Sequence, residues 1–292
     1  MLLAVPNFSE GRDPARIEAV SAAFATGAAL LDSHSDPVHN RTVLTLSGPP
    51  DSLADALANG ARACAEAIDM RRHEGAHPCI GALDVCPVVW LRTEDREAAR
   101  AEALAAARGI ATKARVPVFL YGELASHVSR RERAFFRAGG LVELRQRLGS
   151  GELRPDFGPA ELHPSAGATL VTARSPLAAF NVELEDAGVE ATREIAEGLR
   201  ESGGGLPGVR ALGIDLGGAR TQVSTNVHDP IAVPLAKVIE RVGELAAALG
   251  GRPVAGEIVG LVPEAALAGF PQDLPLTGFD PARHLIERRL RV

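Results

Sequence analysis

Val209-Arg210-Ala211-Leu212-Gly213-Ile214-Asp215 and Thr221-Gln222-Val223-Ser224-Thr225-Asn226-Val227 decide the fold of this chain. Both are short runs rich in β-branched and apolar residues, bounded by glycine, so they read as two strands in succession. Working outward, residues 190–202 before them and 233–249 after them carry apolar side chains at helical spacing. Strands at 178–184 and 258–262 close the set as β-α-β-β-α-β. In that split arrangement each helix packs on one face of a mixed or antiparallel sheet.

The first half repeats the order. Residues 2–6 form an apolar strand, 13–26 an alanine-rich helix, 28–32 and 41–46 two strands, with the polar stretch 33–40 as a turn between them. A helix is predicted from Asp51, as N-cap, to about Ile68, followed by a strand at 83–91, a helix at 95–114 and a strand at 117–121. After the arginine-rich passage 129–137 and the Gly/Pro-rich stretch 149–167, strands resume at 168–172. The fold class is therefore α+β, with two ferredoxin-like βαββαβ subdomains spanning residues 1–174 and 175–292.

With 292 residues and 46% hydrophobic content the chain can bury two moderate cores. Its net charge of −6 argues against nucleic acid or an anionic membrane as partner, since both select broad basic surfaces. Cys64, Cys79 and Cys86 lack the spacing of a disulfide framework or zinc cluster, which fits a reducing, cytoplasmic setting. Pro6 and Glu10 interrupt the first apolar run before it reaches signal-peptide length, and no apolar run is long enough for a spanning helix.

Ionisable groups crowd the window Asp69-Met70-Arg71-Arg72-His73-Glu74-Gly75-Ala76-His77-Pro78-Cys79-Ile80-Gly81-Ala82-Leu83-Asp84. Residues 73–77 match the zinc-protease pattern H-E-x-x-H, which needs an unbroken helix. Gly75 costs about 1 kcal/mol of helix propensity, and Pro78 pushes His77 out of the α region. A loop without metal is expected. On it, His77 is a candidate proton acceptor and donor near neutral pH, or else a structural histidine. Asn7 could bind a substrate or form an Asx turn. Gln222, Ser224 and Asn226 share one strand face, either solvated or lining a groove. Arg41 could clasp a carboxylate bidentately or make a surface ion pair. Cys86 falls in an apolar strand, where a thiol is normally inert.

Several longer motifs carry a resemblance. Val5-Pro6-Asn7-Phe8-Ser9-Glu10-Gly11, Asn40-Arg41-Thr42, Ile68-Asp69-Met70, His77-Pro78, residues 81–87, Leu120-Tyr121-Gly122-Glu123, Pro155-Asp156-Phe157-Gly158-Pro159, Pro164-Ser165, residues 167–169, Ala179-Phe180-Asn181, residues 222–226 and residues 259–263 occur in the order found in glutamate formimidoyltransferases. Over nearly its whole length the chain resembles that family, without the cyclodeaminase domain to which vertebrate members are fused.

The resemblance implies transfer of a formimidoyl group between N-formimidoyl-L-glutamate and tetrahydrofolate, in histidine degradation and one-carbon metabolism. Tetrahydrofolate is then a co-substrate, no metal is expected, and the protein is a homodimer. His77 takes the position of the family's acid/base histidine. The folate-contacting stretch maps onto Gly158, Pro159, Ala160, Glu161, Leu162, His163, Pro164, Ser165, Ala166 and Gly167, with Asn7 nearby. Where vertebrate members have an assisting aspartate before Asn-Arg-Thr, this chain has His34, with Asp36 two residues on. His34, Asp36 and Arg41 are thus candidate assisting groups. Ala166 replaces an aromatic, which changes the packing available to a pterin. Arg41, Arg154 and Arg174 are the candidates for binding folate carboxylates. A folate-binding module without turnover, and formyl transfer from 5-formyltetrahydrofolate to glutamate, stand as alternatives.

Overall fold

The computed structural model describes residues 1–217 and 220–290. It divides into two compact units, Met1–Ser175 and the part from Pro176 onward.

In the first unit the opening apolar run is interrupted at Pro6, which has no N–H for a ladder. It forms two short strands, β1 (Leu2–Ala4) and β2 (Asn7–Phe8). Helix α1 (Pro14–Phe24) follows, with the Asp13 carboxylate accepting from Arg16 N at its N-terminus. Then come β3 (Ala29–Asp36), β4 (Arg41–Gly48), α2 (Leu53–Ala67) and β5 (Leu83–Trp90). Strands β1 and β2 each pair antiparallel with both β4 and β5, while β3 pairs antiparallel with β4. The spatial order is that of a ferredoxin-like sheet.

Helix α3 (Arg96–Lys113) leads to β6 (Val118–Leu120), and β7 (Thr169–Arg174) inserts parallel between β5 and β6. Helices α4 (Ala134–Arg137) and α5 (Gly140–Gly149) lie in the connection before β7. One core joins the sheet to α1, α2 and α3. A second lies where Val85, Phe119 and Leu170 meet Phe136 of α4 and Leu144 and Leu148 of α5. The added parallel strands are therefore covered on both faces, as parallel pairing usually requires.

The second unit runs β8 (Ala178–Glu185), α6 (Val189–Leu199), β9 (Val209–Gly217), β10 (Arg220–Val227), α7 (Leu235–Ala248) and β11 (Arg252–Val259). Its sheet order is β11-β8-β10-β9, antiparallel throughout, with Val223 and Val227 turned into the core that contains α6 and α7 residues. Short helices α8 (Pro281–His284) and α9 (Ile286–Leu290) follow.

Three local expectations are corrected. The turn predicted from Ser33 begins only after Asp36, because His34, Ser35 and Asp36 stay in register with Val43, Thr42 and Arg41; ladder pairing overrides local turn preference. The last strand starts at Arg252, well before residue 258, held against β8 from Glu185 onward. Asp51 does not cap α2. The carboxylate of buried Glu102, on α3, accepts from Asp51 N at 2.5 Å and Ala54 N at 2.6 Å.

Candidate functional site

The loop between α2 and β5 is irregular through residues 73–77. Gly75 explains why: a Cβ there would stand 2.3 Å from the His39 carbonyl oxygen. The loop thus lies against the turn between β3 and β4, with Ala76 N donating to Val38 O at 3.1 Å. Asn40 adds a second tie, its Nδ2 donating to Glu74 O at 3.0 Å and its Oδ1 accepting from Gly11 N at 2.9 Å. Two polar turns and the end of β2 are locked into one rim around a small, tightly filled pocket lined by Ser9, His39, Asn40, Arg41, His73, His77, Cys79 and Asp84.

Arg41 Nη1 lies 2.6 Å from His77 Nδ1 and 2.7 Å from Nε2. A guanidinium only donates, and its positive charge held against the ring disfavours the imidazolium. The surroundings act the same way: burial, then the charges of Arg41, Arg137 and Arg133, then His39, hold the His77 pKa well below 6.5. Arg41 is itself brought down to about 10 by burial, partly offset by Asp84, and so remains charged at neutral pH.

Asp84 anchors this cluster. Its side chain is 2% exposed, and Oδ2 accepts from Arg137 Nη2 at 2.5 Å and faces Arg41 Nη1 at 3.9 Å, while Oδ1 accepts from Ile80 N at 2.9 Å. Arg133 and Arg137, one turn apart on or beside α4, belong to the arginine-rich passage noticed in the sequence. Their convergence on Asp84 was not readable there, since it depends on Phe136 entering the second core beside Phe119 at 5.1 Å. Arg174, at the end of β7, is lowered to about 10 by burial and by the charge of Arg133, with Tyr121 opposing. The Nε of Arg137 is buried without a hydrogen-bond partner. Buried guanidinium charge thus outnumbers the carboxylate at hand, and an N–H is left over, which suits a carboxylate ligand.

Asn7 is 8% exposed, and its side chain is engaged by the protein. Nδ2 donates to Val5 O at 2.7 Å, and Oδ1 accepts from Arg41 Nε at 3.0 Å as well as from Nη2. The side chain makes no Asx turn, since Ser9 N donates to Ala82 O; it ties back to Val5 and supports Arg41. Asp36 faces His39: Oδ2 lies 2.7 Å from His39 Nδ1, and Oδ1 accepts from Val38 N and His39 N at 2.7 and 2.9 Å. Burial would raise the Asp36 pKa, but the His39 contacts outweigh it and hold the group at about 2. His34 lies on β3 opposite Val43, outside the pocket lining. His39 is the residue that sequence reasoning missed. Its signal was the Asp36-x-x-His39 spacing across the turn.

The stretch 158–167 is a loop stapled to the His77 loop. Ala82 N donates to Ala166 O at 2.8 Å, Ala168 N to Ile80 O at 2.9 Å, and Met70 N to Ser165 O at 2.7 Å. Gly167, at φ +70°, brings its backbone so close that a Cβ would meet Ile80 O at 2.2 Å. Leu162 and Ala166 point into cores. Gly158, Pro159, Ala160, Glu161 and Pro164 are exposed, and His163 Nδ1 accepts from Ala166 N at 2.9 Å. Arg154 is exposed and does not line the pocket. Gln222, Ser224 and Asn226 share the face of the second unit's sheet opposite Val223 and Val227, together with Asn181, which donates to Glu257 at 2.9 Å. Among the described residues no group of three or more His, Cys, Asp or Glu side chains could hold a metal ion. Cys79 is pushed up to about 11 by burial and the charge of Asp84, so its thiol is a poor nucleophile.

Residues 1–174 match the family model described as the formiminotransferase domain, N-terminal subdomain, and residues 179–270 match that of the formiminotransferase domain. The chain is 36% identical over 292 residues to a glutamate formimidoyltransferase of Thermoplasma acidophilum, covering 98% of this chain and 96% of that protein. It is 34% identical over 290 residues to one of Streptococcus pyogenes serotype M1, covering 98% and 97%. A formimidoyltransferase-cyclodeaminase of Sus scrofa is 42% identical over 272 residues, 90% of this chain and 50% of that protein. The chain thus spans about half the length of the bifunctional relatives and nearly all of the single-activity ones.

Proposed function

This chain belongs to the formiminotransferase family, and from that premise we propose that it transfers a formimidoyl group between N-formimidoyl-L-glutamate and tetrahydrofolate, with His77 carrying the proton. The observation that carries the reading is the partly buried imidazole of His77 held against Arg41, with Arg133 and Arg137 near enough to keep its pKa well below 6.5. Transfer joins an amine nitrogen to the formimidoyl carbon and releases another nitrogen from it. One nitrogen loses a proton and the other gains one, which is work for a single group that is a base at rest.

His77 meets that requirement because its surroundings disfavour the imidazolium: it takes a proton only where a stronger acid has just formed, and releases it readily. Arg41 engages the imidazole in the resting site. A substrate carboxylate is a stronger partner for a guanidinium than a neutral ring nitrogen, so its arrival on Arg41 would open the His77 lone pair to the reacting nitrogen. Arg137, with its unpartnered Nε, and Arg133 and Arg174 supply further positive charge for the glutamate and folate carboxylates. The exposed residues 158–161 and 164, on the loop tied to the His77 loop, supply the wall we assign to folate. Tetrahydrofolate acts as co-substrate, and the chemistry calls on no metal. The reading includes a homodimer in the cytoplasm.

The test is turnover of the purified protein with N-formimidoyl-L-glutamate and tetrahydrofolate, beside His77→Ala and His77→Gln. Both variants should lose about 10²–10⁴-fold in kcat with KM for folate within a few-fold, the pattern of an interaction used in the transition state. A fully active His77→Ala would remove the proton shuttle from this residue.

A further inference from the structure

Asn7 opens β2, a strand paired on one side with β4 and on the other with β5. In that register it stands opposite Val43, so Arg41, two residues back along β4, is its diagonal neighbour on the same face. Its Oδ1 accepts from Arg41 Nε at 3.0 Å and from Arg41 Nη2, while its Nδ2 donates to Val5 O at 2.7 Å. Turning the amide over would set its NH₂ against a guanidinium and its oxygen against a carbonyl, so both roles are fixed by chemistry. The oxygen covers the side edge of the Arg41 fork, formed by Nε and Nη2. Both N–H bonds of Nη1 and one of Nη2 remain, and Nη1 lies 2.6 Å from His77 Nδ1.

The partner at the side edge carries no charge. The Asp84 carboxylate stands 3.9 Å from Arg41 Nη1, and its oxygens are taken by Arg137 Nη2 and Ile80 N. Asn7 thus orients Arg41 without neutralising it; an aspartate at this position would neutralise Arg41 and turn an oxygen onto Val5 O. The pocket that Arg41 and His77 line is tightly filled, so a carboxylate arriving on Arg41 must move a side chain. Asn7 is held by a strand with partners on both sides, whereas His77 sits on the irregular loop 73–77. The imidazole is the group that gives way.

Resting on the transferase reading above, we propose that Asn7 is a positioning residue that blocks the side edge of Arg41, so that a carboxylate of the glutamate substrate engages the guanidinium only at the edge held against His77. Binding of the glutamate moiety and release of the imidazole then become one event. A carboxylate on the end edge forms two parallel hydrogen bonds, to Nη1 and Nη2, and offsets the charge that Arg41 holds against the ring. Around His77 stand Arg41 from β4, Arg137 and Arg133 from the α4 region and His39 from the turn between β3 and β4. Asp84 of β5, with His73 and Cys79 of the His77 loop, completes the titratable groups of the pocket. Once Arg41 is engaged by the carboxylate, His77 is a stronger base at the moment the reacting nitrogen is present. Without Asn7 the carboxylate could take the side edge and leave Arg41 on the ring.

The experiment compares the full chain as wild type, Asn7→Ala and Asn7→Asp in turnover with N-formimidoyl-L-glutamate and tetrahydrofolate. Beside it, the His77 ring resonances, assigned with His77→Gln, are followed by NMR through pH with and without L-glutamate. In wild type, glutamate should shift those resonances and raise the His77 pKa. Asn7→Ala should bind glutamate within about threefold of wild type, raise the His77 pKa less on binding, and lose about 10–10²-fold in kcat, the worth of hydrogen bonds to a charged group. Asn7→Asp should raise KM for N-formimidoyl-L-glutamate by about tenfold and leave KM for tetrahydrofolate within about threefold. It should also move the His77 limb of the pH profile upward without ligand, because its carboxylate offsets Arg41 permanently. A merely structural Asn7 would neither separate the two KM values nor move that limb. If Asn7→Ala folds poorly, the wild-type titration and Asn7→Asp decide: glutamate that does not bind, or that saturates the protein and leaves His77 unchanged, overturns the proposal, as does Asn7→Asp with wild-type KM values. Wild type that binds glutamate and shifts His77 but shows no turnover removes the transferase reading alone; full turnover with unaltered kinetics in both Asn7 variants removes the role of Asn7 alone.

Discussion

Asp84→Asn tests the electrostatic frame of the pocket. The carboxylate is 2% exposed and answers Arg137 at 2.5 Å, Arg41 at 3.9 Å and the Ile80 amide at 2.9 Å. An asparagine keeps the shape but offers one oxygen and one NH₂. If the oxygen stays on Ile80 N, the NH₂ faces two guanidiniums; if the amide flips, Ile80 N faces a donor. At an effective dielectric near 20, the Arg41 contact alone corresponds to a gross attraction of about 4 kcal/mol. Breaking a buried pair from one side costs about 3–5 kcal/mol net. For a unit of this size, that is a fall in Tm of roughly 6–20 °C. Calorimetry of the full chain should show this loss in the transition of the first unit, and a double-mutant cycle with Arg137→Met should give a coupling of at least about 1.5 kcal/mol. A Tm within about 2 °C of wild type would refute the account of Asp84 as the anchor of the arginine cluster.

Two other outcomes are expected. Because burial and then Arg41, Arg137 and Arg133 lower the His77 pKa, kcat/KM should rise with pH along a limb centred below 6.5 and be flat at neutral pH, and Arg41→Met should move that limb upward; a wild-type limb at or above 6.5 would contradict the assignment. The same shift makes native His77 resist a proton that the unfolded chain accepts near 6.5, so its contribution to stability is intact above that pH and is lost as pH falls below it. Glu102→Gln removes the charge that caps α2 through Asp51 N and Ala54 N and should cost about 1–3 kcal/mol in chemical denaturation; a change under about 0.5 kcal/mol would mean that the α2 terminus is satisfied in another way.

The architecture was legible because it rests on periodicity. Alternation in Val209–Gly217 and Arg220–Val227, and helical spacing around them, are properties of neighbouring residues, and burial of the apolar face follows from them. The loop at residues 73–77 was legible for a similar reason: Gly75 and Pro78 oppose a helix whatever surrounds them. Boundaries were less so. Strand β11 begins at Arg252 and β3 runs to Asp36 because their partners β8 and β4 continue alongside, and a ladder partner is not visible in local sequence.

The site divides in the same way. His77 stood out through its motif, and Arg41 through its place after a turn, but the state of His77 was set elsewhere. Its neighbours are Arg41 from β4 and Arg133 and Arg137 from the α4 region, not the nearby Glu74 or Asp36, and Asp36 is committed to His39. Sequence by itself determined the two-unit α+β plan, the loop that bears His77 and the family likeness, because those depend on residue order and short-range conformational preference. Only the tertiary structure decided which charges surround the imidazole, that Asn7 supports Arg41, and that Glu102 caps a helix 48 or more positions away. Electrostatic and hydrogen-bond energies depend on distance and burial in space, and sequence separation fixes neither.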